Sequence, residues 1–131
     1  MTAETSKVRA EIVARLSDEP GVPAVADLDE WGRHPTYPVI LLGLTGRSIE
    51  EDGDYLATLH VWSRAGTSAE AQTIIERVKH ALERESASSE LKLIVWPEYS
   101  EVRVDEEHSA HHGLVRYRVS VNANPASDIS A

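Results

Sequence analysis

His108, His111 and His112 fall within five residues of one another, directly after Asp105, Glu106 and Glu107. Imidazole and carboxylate are the donors that hold zinc and that exchange protons, so this cluster is the first candidate for a metal centre or an acid–base pair. Its spacing argues against both. The segment reads as a hairpin tip, where neighbouring side chains splay apart, and neither a cysteine nor a His-x-Glu pattern fixes a tetrahedral set. A second cluster, Arg47–Asp54, holds four acids and a glycine in eight residues. That invites calcium, but the EF-hand spacing and its closing glutamate are absent, which leaves a solvated turn. The remaining carboxylates sit mainly in turns, without the apolar pocket that would split the pKa values of a catalytic pair. No Gly-x-Ser-x-Gly elbow and no phosphate-binding loop occurs. The chain has no cysteine, which excludes disulfides, thiolate metal sites and a cysteine nucleophile. No catalytic, cofactor-binding or metal-binding residue is assigned. A small metal-binding or enzymatic domain using the His108–His112 tip remains an alternative.

The elements that would position these residues follow from periodicity. Val8, Ile12 and Leu16 form an apolar stripe on a helix over residues 4–18, stopped by Pro20 and Gly21. Residues 19–36, with Pro20, Pro23 and Pro35, read as a long loop with one short strand near Ala24 and Val25. Trp31 lies in that loop, as a lid over the core edge or as an anchor at an interface. Tyr37–Gly46 reads as a strand that is apolar on both faces, which suits a central strand or one whose second face meets another subunit. Tyr55–Ser63 alternates: Tyr55, Ala57, Leu59 and Val61 share the face expected to meet the helices, while Leu56, Thr58, His60 and Trp62 share the other. Thr67 and Glu70 form a capping box before a helix that runs to about Glu83, with Ala71, Ile74, Ile75, Val78 and Leu82 inward. Leu91–Trp96, closed by Pro97, and Tyr99–Asp105 read as separate strands. In the last strand, His111–Asn122, Val115, Tyr117, Val119 and Val121 alternate with Leu114, Arg116, Arg118 and Ser120. Residues 123–131 read as a frayed tail.

Strands joined by short turns run antiparallel, and two amphipathic helices need one apolar face to cover. The expected fold is therefore α+β and two-layer, an antiparallel sheet of about five strands with two helices on one face, in a single domain over residues 1–131. The other sheet face has nothing evident in the chain to cover it, so it is expected to make subunit contacts. Leu56, Trp62, Arg116, Arg118 and Trp31 are the interface candidates, because buried Trp and Arg dominate interfaces.

The chain has 131 residues, enough to bury a core without a staple. Its net charge is −9, from 22 acidic and 13 basic residues. The two halves carry 11 acidic and 6 basic, then 11 acidic and 7 basic residues, so no basic patch or tail is set aside for wrapping nucleic acid. Val39–Leu44 is the longest apolar run, far too short to span a bilayer. The opening residues have neither the basic nor the apolar region of a signal peptide, so a soluble intracellular domain without membrane association is expected.

Tyr37-Pro-Val-Ile-Leu-Leu-Gly43, the acidic turn, Leu59-His-Val-Trp-Ser-Arg-Ala-Gly66 and the following Ala-Glu-Ala helix resemble the small tail-completion proteins of long-tailed bacteriophages, which have relatives in prophages and phage-derived gene transfer agents. The family pattern is an N-terminal helix ending in a proline-rich loop, a YPY-V-x-G strand, a T-L-H-V-W-S strand, a helix, and strands ending in G-x-x-R-Y-R. Gly113-Leu-Val-Arg-Tyr-Arg118 matches the last part, and Tyr37-Pro-Val departs mildly from YPY. The similarity runs from about Val8 to Val121. It implies a tail terminator: a homo-oligomeric ring, typically sixfold, that caps the head-proximal end of the tail tube and stops its polymerisation. Such a ring joins the tube protein to the head-completion proteins, and DNA passes through its lumen without specific binding. The resemblance also implies a place in a virion or phage-like particle, synthesis in a bacterial cytoplasm and no cofactor. Another neck or tube subunit of the same particle is the nearer alternative.

Overall fold

Strict alternation from Tyr55 to Ser63 sets the middle of the sheet, because apolar side chains then leave one face and mixed ones the other. A computed structural model describes residues 3–27, 36–46, 54–83, 92–107 and 109–122. They form α1 (Ala3–Asp18), β1 (Val25–Asp27), β2 (Val39–Gly46), β3 (Asp54–Ser63), α2 (Ala69–Glu83), β4 (Lys92–Asp105) and β5 (Ala110–Asn122). The strands make one sheet in the order β1-β2-β3-β5-β4, with two helices on one side. This is the α+β fold that the sequence predicts. No helix among the described residues is long and apolar enough to cross a membrane.

Two details differ from expectation. First, the sheet is mixed: β1 runs parallel to β2, and only the other three pairings are antiparallel. A parallel neighbour needs a long return path, and the proline-bearing chain between Asp27 and Val39 is that path. Second, Leu91–Trp96 and Tyr99–Asp105 are parts of one strand, β4. Its pairing with β5 slips between Pro97 and Tyr99, which leaves Glu98 as the extra residue of a bulge. β4 lies at the sheet edge, where a proline can be tolerated without losing a ladder bond.

Val8, Ile12 and Leu16 of α1 and Ala71, Ile74, Ile75, Val78 and Leu82 of α2 meet Ile40, Leu42, Leu59, Val61, Val115, Tyr117 and Val119 in one core. The helices are also tied end to end. Arg15 is buried; its Nε donates to Glu11 (2.9 Å) and its Nη1 donates to the Leu82 carbonyl (3.3 Å), one of the last-turn carbonyls that α2 cannot satisfy itself. Glu19, expected in a loop, is instead buried at the end of α1. It lies 2.8 Å from His80 Nδ1 and 3.5 Å from Arg77 Nη1 of α2. Gly21, at φ 86°, turns the chain after α1 in the left-handed region that favours glycine. The capping box expected at Thr67 does not close. Thr67 Oγ1 accepts from the Ala69 amide, while Glu70 accepts the hydroxyl of buried Ser63 at 2.6 Å, tying the start of α2 to the end of β3.

At Gly113 the side chain of Ile75 from α2 packs directly on the β5 backbone. A Cβ there would lie 2.8 Å from Ile75 Cδ1 and 3.3 Å from Val61 Cβ. Gly113→Ala is therefore expected to cost about 1–3 kcal/mol by overpacking, read as a lower urea midpoint at unchanged slope. Wild-type stability in this variant would mean that α2 yields without cost.

Candidate functional site

Side chains that alternate away from the helices line the second face of the sheet, and it has two zones. Near the β3 end, Trp62, Val39, Leu41, Ala26 and Ala110 form a small separate core with Tyr37 against it. Trp62, expected to be a bare contact residue, is only 7% exposed. Its indole stacks on His112 at 4.1 Å between centroids and 5° between planes. His112 stacks in turn on His60 at 5.1 Å, with His60 Nδ1 and His112 Nε2 2.9 Å apart. At that distance one nitrogen donates and the other accepts, so the pair shares a hydrogen rather than carrying two.

The second zone is open. Thr58, His60, His112, Leu114, Arg116, Glu101 and Arg103, with Gly43 and Thr45, line a depression of about 350 Å³. Arg116 Nε is buried without a hydrogen-bond partner. Beside the depression, Arg118 lies over the Trp96 ring at 4.3 Å. Tyr99 donates to Glu101, which also accepts from Arg103 Nε at 2.8 Å. These two donors hold the Glu101 carboxyl below the usual carboxylate range. Trp96, Tyr99 and Ile94 are exposed at 39%, 45% and 41%.

Of the residues singled out by sequence, Leu56, Arg116 and Arg118 are half-buried on this face, and Trp62 supports it from within. Trp31 and the tail at 123–131 lie outside the described residues. The histidine tip does not assemble. β5 begins at Ala110, so His111 and His112 are successive strand residues on opposite faces, paired with Ser63 and Trp62. His108 lies outside the described residues, and among these no group of three His or acidic residues could hold a metal ion. Ile94, Trp96 and Tyr99 were not legible as one surface. Period-two counting sets residues 96 and 99 on opposite faces, and the bulge at Glu98 brings them together.

His60 gives the face a pH dependence. Burial first, then the charges of His112 and Arg116, lower its pKa from the ordinary 6.5. The unfolded chain then binds the proton more readily than the folded one. The corresponding stability is present above pH 6.5 and is lost as pH falls from there through the folded value. Urea midpoints should fall more steeply between pH 7.5 and 5.5 for the wild type than for His60→Gln, in steps of about tenths of a molar. Parallel curves for the two proteins would contradict this.

The profile of the family described as Tail completion protein gp17 matches residues 10–122. In fold, the chain is similar to a chain of the virion of a native gene transfer agent particle, with TM-score 0.68 and 16% identity over 92% of this chain and 98% of that one. It is also similar to the gp17 protein of bacteriophage SPP1, with TM-score 0.64 and 20% identity over 94% of each chain. No curated protein sequence matches significantly.

Proposed function

The chain belongs to the Tail completion protein gp17 family, and from that premise we propose that it is a tail terminator, a ring of six copies on the head-proximal end of a tail tube. The family is a structural one and not an enzyme family, so the protein is a tail component of a phage or phage-like particle. In the proposed role the ring ends tube polymerisation and offers its outer side to the head-completion proteins. DNA crosses the lumen without specific binding, which the net charge of −9 favours by repulsion.

The observation that carries the ring is the second face of the sheet. It keeps Trp96, Tyr99 and Ile94 exposed beside arginines in a chain that is otherwise strongly acidic. Exposed aromatic and apolar side chains grouped with arginine are the composition of protein interfaces, not of free surface. The sheet also has distinct ends and faces, so a contact between unlike surfaces of neighbouring copies can repeat around a closed ring.

Charge opposes closure. Six copies at −9 each carry −54, gathered in a small volume. Exposed charges interact over about 8 Å at physiological ionic strength, so salt relieves this repulsion. The free chain is expected to be monomeric in dilute buffer and to close on the tube end, where the tube supplies matching symmetry and many weak contacts act together. Mass measurement should find six chains on each capped tube end. Raising the salt should shift free chains toward oligomer. Copies distributed along the tube would identify a tube subunit instead, and oligomers that dissolve as salt rises would contradict the charge argument.

A further inference from the structure

We propose that the depression on the open sheet face binds one tetrahedral oxyanion, phosphate or sulfate, at Arg116. The site goes beyond the terminator reading and stands without it, because every group it uses belongs to one chain.

Strand register makes the depression. Gly43 of β2, Thr58 of β3, Arg116 of β5 and Tyr99 of β4 lie in one row across the sheet. Gly43 carries no side chain, so the row is low at its β2 end, and a space of about 350 Å³ opens beside Arg116. Arg116 makes no ion pair or hydrogen bond among the described residues, and its Nε is buried. A guanidinium that has lost part of its hydration without gaining a partner attracts an anion more strongly than one fully in water, because the charge is screened less.

Charge and direction select the ligand. Arg103 also lines the depression, but Glu101 accepts from it and neutralises it, with Tyr99 donating to the same carboxylate. Arg116 is left as the uncompensated cation. His60 and His112 share one hydrogen and can take up a second, which adds a positive charge beside Arg116. The charged groups about the pair are Arg116 on β5 and Glu101 and Arg103 on β4, while β2 brings none. One arginine and one added proton balance a dianion. Thr58 of β3 and Thr45 of β2 add hydroxyls, so donors converge from several strands and not in one plane. A tetrahedral oxyanion presents oxygens in that many directions, whereas a carboxylate offers one planar edge. The dianion favours the protonated pair, against the burial and neighbouring charges that lower the His60 pKa. Binding therefore takes up a proton and strengthens as pH falls.

Sulfate is the probe, because its charge is the same at pH 7.5 and pH 5.5. It is titrated into the full chain in place of chloride at constant ionic strength, followed by calorimetry and by the imidazole resonances of His60 and His112. Binding should saturate at one ion per chain, at least about fivefold tighter at pH 5.5 than at pH 7.5. His60→Gln should still bind and lose most of that gain. Arg116→Gln should lower the affinity at least about tenfold. Thr58→Asp, which keeps the arginine and sets a carboxylate beside it, should do the same, with melting in chloride showing that each variant is folded. A response that does not saturate, or one that survives both substitutions, would overturn the site. Acetate binding as tightly as sulfate would make the depression a socket for acidic side chains and overturn the proposal. A short single-stranded oligonucleotide that binds there and resists displacement by sulfate would overturn it too. So would sulfate binding that appears only after Glu50, Glu51 and Asp52 are replaced by Ser, since the chain's own acids would then be meeting Arg116.

Discussion

Particles built with Arg116→Glu are expected to lose joined tails at least about tenfold while the free chain keeps its fold. The side chain is half-buried on the open face, and the main core lies on the other side of the sheet. Reversal removes the cation facing His60 and places a second carboxylate in the depression that holds Glu101. Within the chain the cost is small, about 0.5–1 kcal/mol, because the face is open to water. In the proposed ring this face lies between copies, where a reversed charge that is left unmatched costs several kcal/mol. The two effects separate in two measurements. The melting temperature of the purified variant should stay near wild type, while counts of joined particles collapse. Normal joining would remove Arg116 from the interface. A melting temperature that collapses with the joining would make it a folding residue.

Tyr117→Ala is expected to cost about 3–5 kcal/mol of stability. Tyr117 is the largest fully buried side chain among the described residues, in the central part of β5 under α2. Its hydroxyl donates to Glu83 at 2.9 Å, at the end of α2. Burial first, then this carboxylate, raises the hydroxyl pKa, so the phenol stays protonated and keeps donating. Tyr117→Phe separates the two contributions. It removes only the hydrogen bond and should cost about 1 kcal/mol. Equal losses in the two variants would place the stability in the hydrogen bond rather than in the packed ring.

The core side of this molecule was legible because it is periodic. Val8, Ile12 and Leu16 at helical spacing, and Tyr55, Ala57, Leu59 and Val61 at strand spacing, name their own faces. The same counting put Leu56, Arg116 and Arg118 on the opposite face, where they are found. What was hidden breaks the period or depends on another element. Pro97 looked like a strand end, but an edge strand accommodates it, and the bulge beside it regroups Trp96 with Tyr99. Parallel β1 could not be inferred from three residues whose partner lies beyond a long connection. Glu19 looked like a loop acid because its partners, His80 and Arg77, lie on a distant helix. The stacking of Trp62, His112 and His60 joins two strands far apart in the chain, so no local motif announces it. His111 and His112 looked like a pair only while they were assigned to a tip. Once in a strand, they face opposite sides.

Tube length tests most directly which task in the tail this member of the tail completion family performs. A terminator acts by ending polymerisation. Deleting the gene and imaging the lysate by electron microscopy should therefore show heads without attached tails, and free tubes whose lengths scatter widely instead of clustering at one value. Expressing the wild-type chain in the same cells should restore both uniform length and joining. Tails of normal length joined to heads in the deletion strain would contradict the account, because the tube would then be stopping without this protein.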